Sequence, residues 1–394
     1  MTARNILIAL GLLGVIILSV VVAYLTFPSS AQDEAGENDF FSSLFPFSTS
    51  PLGTSDESDD EIISDDEQSI ATLRHVTTSP VAGGHFTEDG SILYLDRESG
   101  HVYQTSRETS ETIRLSNSTL PGIDFAEWFS DTQFVFTLAD RSTPLTHFIG
   151  EVATGTQNQQ LASTALENFN AFIIAPDGES AIAVTEATSG SRVTLVSLDD
   201  NTETVLYTSI IRGWVPLADR SSAYILTAPT GDQLGQLYKI NGRDSLLKTV
   251  GDIPGMLASV SPSGRYVLYS TSGRGAIDTL VYDTESKSHF RLPLKTLATK
   301  CAWMPDAEPI VFCGVPSEKP IALYPDAWLM GAVSFNDRAW IMDPLTGVAS
   351  AVSDLLIDSG GLDVIRPRIS DDREYALFMN KNDLSLWSLK LNAR

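Results

Sequence analysis

The side chains most able to do chemistry in this 394-residue chain are two cysteines, five histidines and a run of aromatic and acidic residues between positions 314 and 338. Cys301 and Cys313 flank the pair Asp306-Ala307 symmetrically. In an antiparallel hairpin centred there they face each other, and cross-strand Cα atoms about 4.5 Å apart are close enough for a disulfide. The other reading is two small apolar residues packed in a sheet. An exported location is compatible with the bridge. No His or further Cys lies near them in sequence, so no zinc site is expected.

Signals for catalysis are missing. There is no G-x-S-x-G elbow for a serine nucleophile. Histidines 75, 85, 101, 147 and 289 form no H-x-x-x-H or H-E-x-x-H pattern. The aspartates fall mostly in turns, where they bond their own backbone. No catalytic residue, metal ligand or cofactor is assigned. Most tryptophans, among them Trp128, Trp303, Trp340 and Trp387, read as core packing. The better candidate is the run GVPSEKPIALYPDAWLMGAVSFNDR. Its Tyr324, Asp326, Trp328, Met330, Phe335 and Asp337 are the proposed binding residues. The alternative is a lid that packs onto the fold for stability.

That run stands out because the rest of the chain is periodic. Turns recur at Asp89-Gly90, Asp131-Thr132, Asp177-Gly178, Asp219-Arg220, Ser263-Gly264, Asp306-Ala307 and Asp372-Arg373. Successive turns are 42, 46, 42, 44, 43 and 66 residues apart. An apolar strand follows each turn, as in Ile92–Leu95, Ala181–Val184 and Tyr266–Tyr269. A period in the forties with about four short strands per unit is the signature of a β-propeller blade. Seven turns predict seven blades. The last unit has only three strands, and Ile70–Val76 has the composition of the missing fourth. It is expected to pair into the seventh blade, because an unclosed blade leaves a bare sheet edge. The 66-residue spacing locates the insertion between the second and third strands of blade six. Such connections lie on the same face as the loops between blades.

The predicted fold is therefore an all-β, seven-bladed propeller over 69–394, preceded by a membrane anchor (1–28) and an acidic linker (29–68). Residues 6–27 are apolar but for Ser19 and Thr26. As a helix they reach about 33 Å, enough to cross a bilayer. A cleaved signal peptide is the rival reading, but its apolar core is usually only ~7–15 residues. Arg4 precedes the run and the next basic residue is Arg74, which predicts a cytoplasmic amino terminus and a propeller outside. Residues 28–68 hold twelve acidic and no basic residues, the composition of a disordered tether. Phe40, Phe41, Leu44, Phe45 and Phe47 are unusual there, and a membrane surface or a partner could take them. A net charge of −24 argues against nucleic acid, which calls for a basic footprint.

The turns Ala175-Pro176-Asp177-Gly178 and Ser261-Pro262-Ser263-Gly264 resemble the S-P-D-G turn of WD40-like and TolB-like propellers. The GH…WD pair of true WD40 repeats is missing, so the TolB-like side is closer. A narrower resemblance rests on Lys300–Trp303, Phe312-Cys313, Tyr324–Trp328, Gly331, Val333–Phe335, Asp337 and Leu386–Leu389. These are similar to a segment of uncharacterised, membrane-anchored propellers of candidate-phylum bacteria, which carry no activity to transfer.

Two function classes remain. One is a tethered scaffold that binds a protein, peptide or envelope polymer on its loop-rich face. The other is a hydrolase or lyase with a site in the central funnel. An enzyme should converge several His, Asp, Glu, Arg or Tyr residues on one funnel mouth. The interblade segments Gly251–Gly255 and Asp358–Gly361 are small and largely apolar, which favours binding.

Overall fold

The computed structural model describes residues 73–139, 145–153, 157, 159–273, 276–357 and 360–391. Residues 6–27, the linker 29–68 and the first residues of the expected closing strand lie outside these. No helix among the described residues is long and apolar enough to cross a membrane.

The described residues build seven four-stranded antiparallel sheets. Their first strands are Val81–Phe86, Ile123–Trp128, Ala171–Ile174, Val215–Ala218, Leu257–Val260, Cys301–Trp303 and Val364–Ile369. Several neighbouring first strands lie against one another, which puts this set at the axis. Each blade then runs outward through its second, third and fourth strands. The expected turns join first to second strands, and several hold positive φ: Gly90, Gly178 and Gly264, and without a glycine Asp306 and Arg373. Gly264 has a second constraint: a Cβ there would sit 2.2 Å from Asp219 Oδ2 of the preceding blade. Turn chemistry and blade stacking therefore select the same residue.

Closure of the ring follows the sequence expectation. Leu73–His75 pairs antiparallel with Leu386–Lys390, in the register Leu73↔Leu389, Arg74↔Ser388 and His75↔Trp387. The His75 ring stacks on Trp387 at 4.1 Å. This strand is the outermost of blade seven, and no other sheet claims that edge.

Antiparallel pairing fixes two faces. First-to-second and third-to-fourth turns lie on one, here the turn face. Second-to-third connections and the loops between blades lie on the other, the loop face. The core is divided among the spaces between blades. Phe312, Val364, Phe378, Trp387 and Leu389 fill the one between blades six and seven, for example.

Candidate functional site

The blade-six insertion lies on the loop face and is held down at both ends. It leaves the ring after Val311–Pro316 and returns at Asp337–Asp343. Between them one helical turn, Asp326–Leu329, is its only regular element. Tyr324, Trp328 and Phe335 are buried and belong to the same core cluster as Leu257, Cys301 and Met342. Burying three such rings is worth roughly 11–19 kcal/mol as an upper bound, at ~25 cal/mol per Å² and 150–250 Å² each. The insertion is therefore part of the folded ring. Tyr324 also donates its hydroxyl to Pro320 O at 2.6 Å. Asp326 ties the helix to blade four, where the Gly231 N–H donates to its Oδ2 at 2.7 Å. Burial raises the Asp326 pKa, but that bond and one from Thr230 outweigh it and hold the carboxyl below its usual value. Glycine is required at Gly231, because a Cβ would meet Tyr324 O at 2.5 Å. Lys381 of blade seven reaches Val333 O from the other side. The segment thus spans blades four to seven.

Beneath it lies a buried ion cluster. Lys300, Asp337 and Asp363 are each fully buried. Lys300 Nζ donates to Asp337 Oδ2 at 2.8 Å, to Asp363 Oδ1, and to Val364 O at 3.0 Å. It sits 5.1 Å from the centre of the Trp328 ring and 5.2 Å from that of Phe335. Asp363 accepts donors at both oxygens: Trp328 Nε1 reaches both, and Phe335 N–H reaches Oδ2 at 3.0 Å. Asp337 Oδ2 also accepts Val364 N–H at 2.7 Å, while its Oδ1 has no partner. Burial, opposed by Lys300, pushes the Asp337 pKa up to about 6. Asp337 therefore locks the insertion to the ring.

Of the six residues proposed from sequence, Tyr324, Trp328, Phe335 and Asp337 point inward, Asp326 is a tie, and Met330 faces solvent. Among the described residues, eight of the eleven exposed large hydrophobic ones lie on the loop face: Leu145, Ile210, Ile211, Leu234, Ile321, Leu323, Leu329 and Met330. Ile321 is 99% exposed, Ile210 91% and Met330 77%. The other three are scattered on the turn face and outer rim. Leu323 packs at the position a Gly231 Cβ would take, and Ala228 does the same at Gly213, so the blade-four loop connects the insertion to the Ile210–Ile211 loop.

Cys301 and Cys313 occupy paired positions in the first two strands of blade six. Their Cα atoms are 4.1 Å apart and their sulfurs are bonded. The bridge staples the first strand, which Lys300 directly precedes, to the second, from which the insertion leaves.

A second polar centre lies at the turn-face mouth of the axis, in a cleft of about 450 Å³. His85 Nε2 meets Asp131 Oδ1 at 3.1 Å, and Asp131 Oδ2 accepts the Glu88 N–H at 3.0 Å. Arg368 pairs with Glu127 beside them. Burial, then the Arg368 guanidinium, lowers the His85 pKa against the pull of Asp131, so the ring is neutral near pH 7. This convergence comes from innermost strands rather than from the segments between blades, and Gly251, expected in such a segment, lies in the fourth strand of blade four, Leu246–Pro254. Sequence reading missed the convergence, as it missed Lys300 and Asp363. A signal existed: Val364-Ile365-Arg366-Pro367-Arg368-Ile369 puts two arginines around a proline inside a strand, which marks a bulge rather than a packed core. No group of three His, Cys, Asp or Glu residues spaced to hold a metal ion occurs among the described residues.

No protein-family model matches the chain, and no curated protein does. Solved structures do match. It is similar to oligogalacturonate lyase from Vibrio parahaemolyticus at 11% identity and a TM-score of 0.54, over 82% of this chain and 94% of that one. Virginiamycin B lyase from Staphylococcus aureus matches at 11% identity and a TM-score of 0.52, over 82% and 99%. The propeller domain of the Trilobed protease from Pyrococcus furiosus matches at 10% identity and a TM-score of 0.52, over 82% and 98%. TolB-like propellers are also among the matches. At such identities the likeness is one of fold. These matches place the described residues among β-propellers.

Proposed function

We propose that this chain is a membrane-tethered, outward-facing propeller that binds a protein or peptide on its loop face. The observation that carries this reading is the separation of roles within the insertion. Tyr324, Trp328, Phe335, Asp326 and Asp337 hold it to the ring, while Ile321, Leu329 and Met330 are left in water. Clustered exposed apolar side chains on one face mark an interaction surface. The tether and its topology rest on the apolar run 6–27 and on Arg4 before it. The test uses the full chain in intact cells with a membrane-impermeant crosslinker. A crosslinked partner of defined mass should be captured by the wild type. It should be lost with Met330→Asp combined with Ile321→Asp, both of which are exposed and leave the melting temperature unchanged. Capture that survives the double substitution sinks the loop-face site, and crosslinking only after lysis sinks the outward topology.

The convergence of His85, Asp131, Glu127 and Arg368 favours a second reading, a hydrolase or lyase site in the funnel. A neutral His oriented by a carboxylate is suited to general-base work. Turnover of an ester, glycosidic or peptide substrate by the wild type and not by His85→Asn supports it. Equal turnover by both removes it.

A further inference from the structure

Three adjacent blades differ from the other four at the axis. The innermost strands of blades seven, one and two each slip register against their second strands, between Ile365 and Arg368, Val81 and Gly83, and Ile123 and Phe125. The innermost strands of blades three to six pair without a shift. The residues released by the three slips meet. Arg366 Nη1 donates to the freed carbonyl of Ala82 at 3.0 Å, and the charge of freed Asp124 acts on the same guanidinium. Bulges recur where a side chain must be re-aimed, often beside functional sites. The backbones of blades one and two touch here: a Cβ on Gly83 would lie 2.2 Å from Ala126 O.

Arg366 is held in a costly conformation. Its φ is +50°, in the left-handed region, and the next residue is Pro367, which disfavours helical geometry before it. Such a residue is strained and persists where surrounding structure enforces it. The guanidinium lies over the Phe125 ring, 3.8 Å from its centre. Burial lowers its pKa to about 10, despite the nearby Glu127 and Asp124 charges.

The neighbouring charges leave Arg366 over. Arg97 pairs with Asp124, and Arg368 with Glu127. Among the described residues, Arg366 has no ion pair within 4.0 Å. Three guanidiniums therefore face two carboxylates along this wall. One cation is desolvated, stacked and already oriented, with most of its five N–H donors uncommitted. The geometry points to a binding site for a singly charged carboxylate on the axis-side wall of blades seven, one and two, with Arg366 as the residue that holds it. A planar carboxylate matches the guanidinium edge, and one negative charge restores neutrality. A dianion brings one charge more than the unpaired guanidinium offsets. This inference is independent of the loop-face reading, because it concerns other strands and another chemistry.

The test titrates the full chain in detergent with N-acetylglycylglycine, its carboxamide, galacturonate and inorganic phosphate. Binding is followed by calorimetry and by protection of Arg366 from phenylglyoxal, mapped by mass spectrometry. A free carboxylate should bind and slow Arg366 modification severalfold, while the carboxamide and phosphate do neither. Stronger binding of the dipeptide assigns the carboxylate to a peptide end, and of galacturonate to an acidic sugar. Arg366→Lys keeps the charge and loses the planar fork, so it should weaken binding roughly tenfold or more. Should Arg366→Lys fail to fold, protection of the wild-type arginine still decides the matter. Absence of carboxylate binding, equal protection by phosphate or the carboxamide, or unchanged affinity in a folded Arg366→Lys overturns the proposal.

Discussion

Replacing Lys300 by Met removes one cation from a cluster in which all three members are fully buried. The methionine is close in length and apolar, so no large cavity opens. What remains is Asp337 and Asp363 facing each other without a counter-charge. Breaking a buried pair from one side typically costs about 3–5 kcal/mol. With an unfolding entropy near 2.1 cal/mol/K per residue, a ring of this size should lose roughly 6 °C in melting temperature. The pH dependence distinguishes this cause from lost packing. In the wild type the Asp337 pKa is already raised to about 6 from its ordinary 3.8. A raised folded pKa contributes stability that is full below about 3.8 and is lost as pH rises through about 6. That contribution is roughly 3 kcal/mol at most, at 1.36 kcal/mol per pH unit. Without Lys300, which opposes the rise, the Asp337 carboxyl should take up its proton more readily in the folded state. The deficit of Lys300→Met should then be largest near pH 8 and shrink toward pH 4. Melting curves at both pH values read it, and limited proteolysis between residues 317 and 335 should show the insertion loosening first. A deficit equal at the two pH values would refute the electrostatic account, and no deficit at pH 8 would refute the cluster's role altogether.

Asp337→Asn should flatten the fall in stability between pH 4 and 7 that this group causes, measured by denaturant midpoints; an unchanged slope assigns the effect to other carboxylates. Deleting the chain up to Pro80 removes Leu73–His75 and its pairing with Leu386–Lys390, so the ring should melt earlier or aggregate through the bared edge. A shortened chain that melts with the parent shows that closure adds nothing. Changing Cys301 and Cys313 together to Ala opens a loop with a sequence separation of 12 and should cost about 3 kcal/mol. A loss well under 1 kcal/mol under oxidising conditions shows the bridge to be dispensable.

The sequence alone carried the architecture because a blade is a local object. Its turns need glycine or aspartate, its strands need apolar runs, and both recur at a period that can be read off residue numbers. Closure was legible for the same reason, since a three-stranded last unit and a spare strand at residues 70–76 imply each other. Hairpin symmetry set Cys301 opposite Cys313, but two packed apolar residues fitted it equally, and the bond is decided by the 4.1 Å between their Cα atoms. The insertion too was visible as a break in the period, but which of its side chains face the ring was not. Trp328 and Met330 are equally apolar in sequence, and only the position of Asp363, from a different blade, decides that one is buried and the other exposed. The two polar centres were hidden more deeply. Lys300, Asp337 and Asp363 span 63 residues, and His85, Glu127 and Arg368 come from blades one, two and seven. Each of these residues looks like an isolated charge in its own strand. Ring closure brings blade seven beside blade one, and the register slips turn Arg366 and Asp124 toward the same point. No periodicity records such convergence, because it depends on contacts between units rather than on the pattern within one.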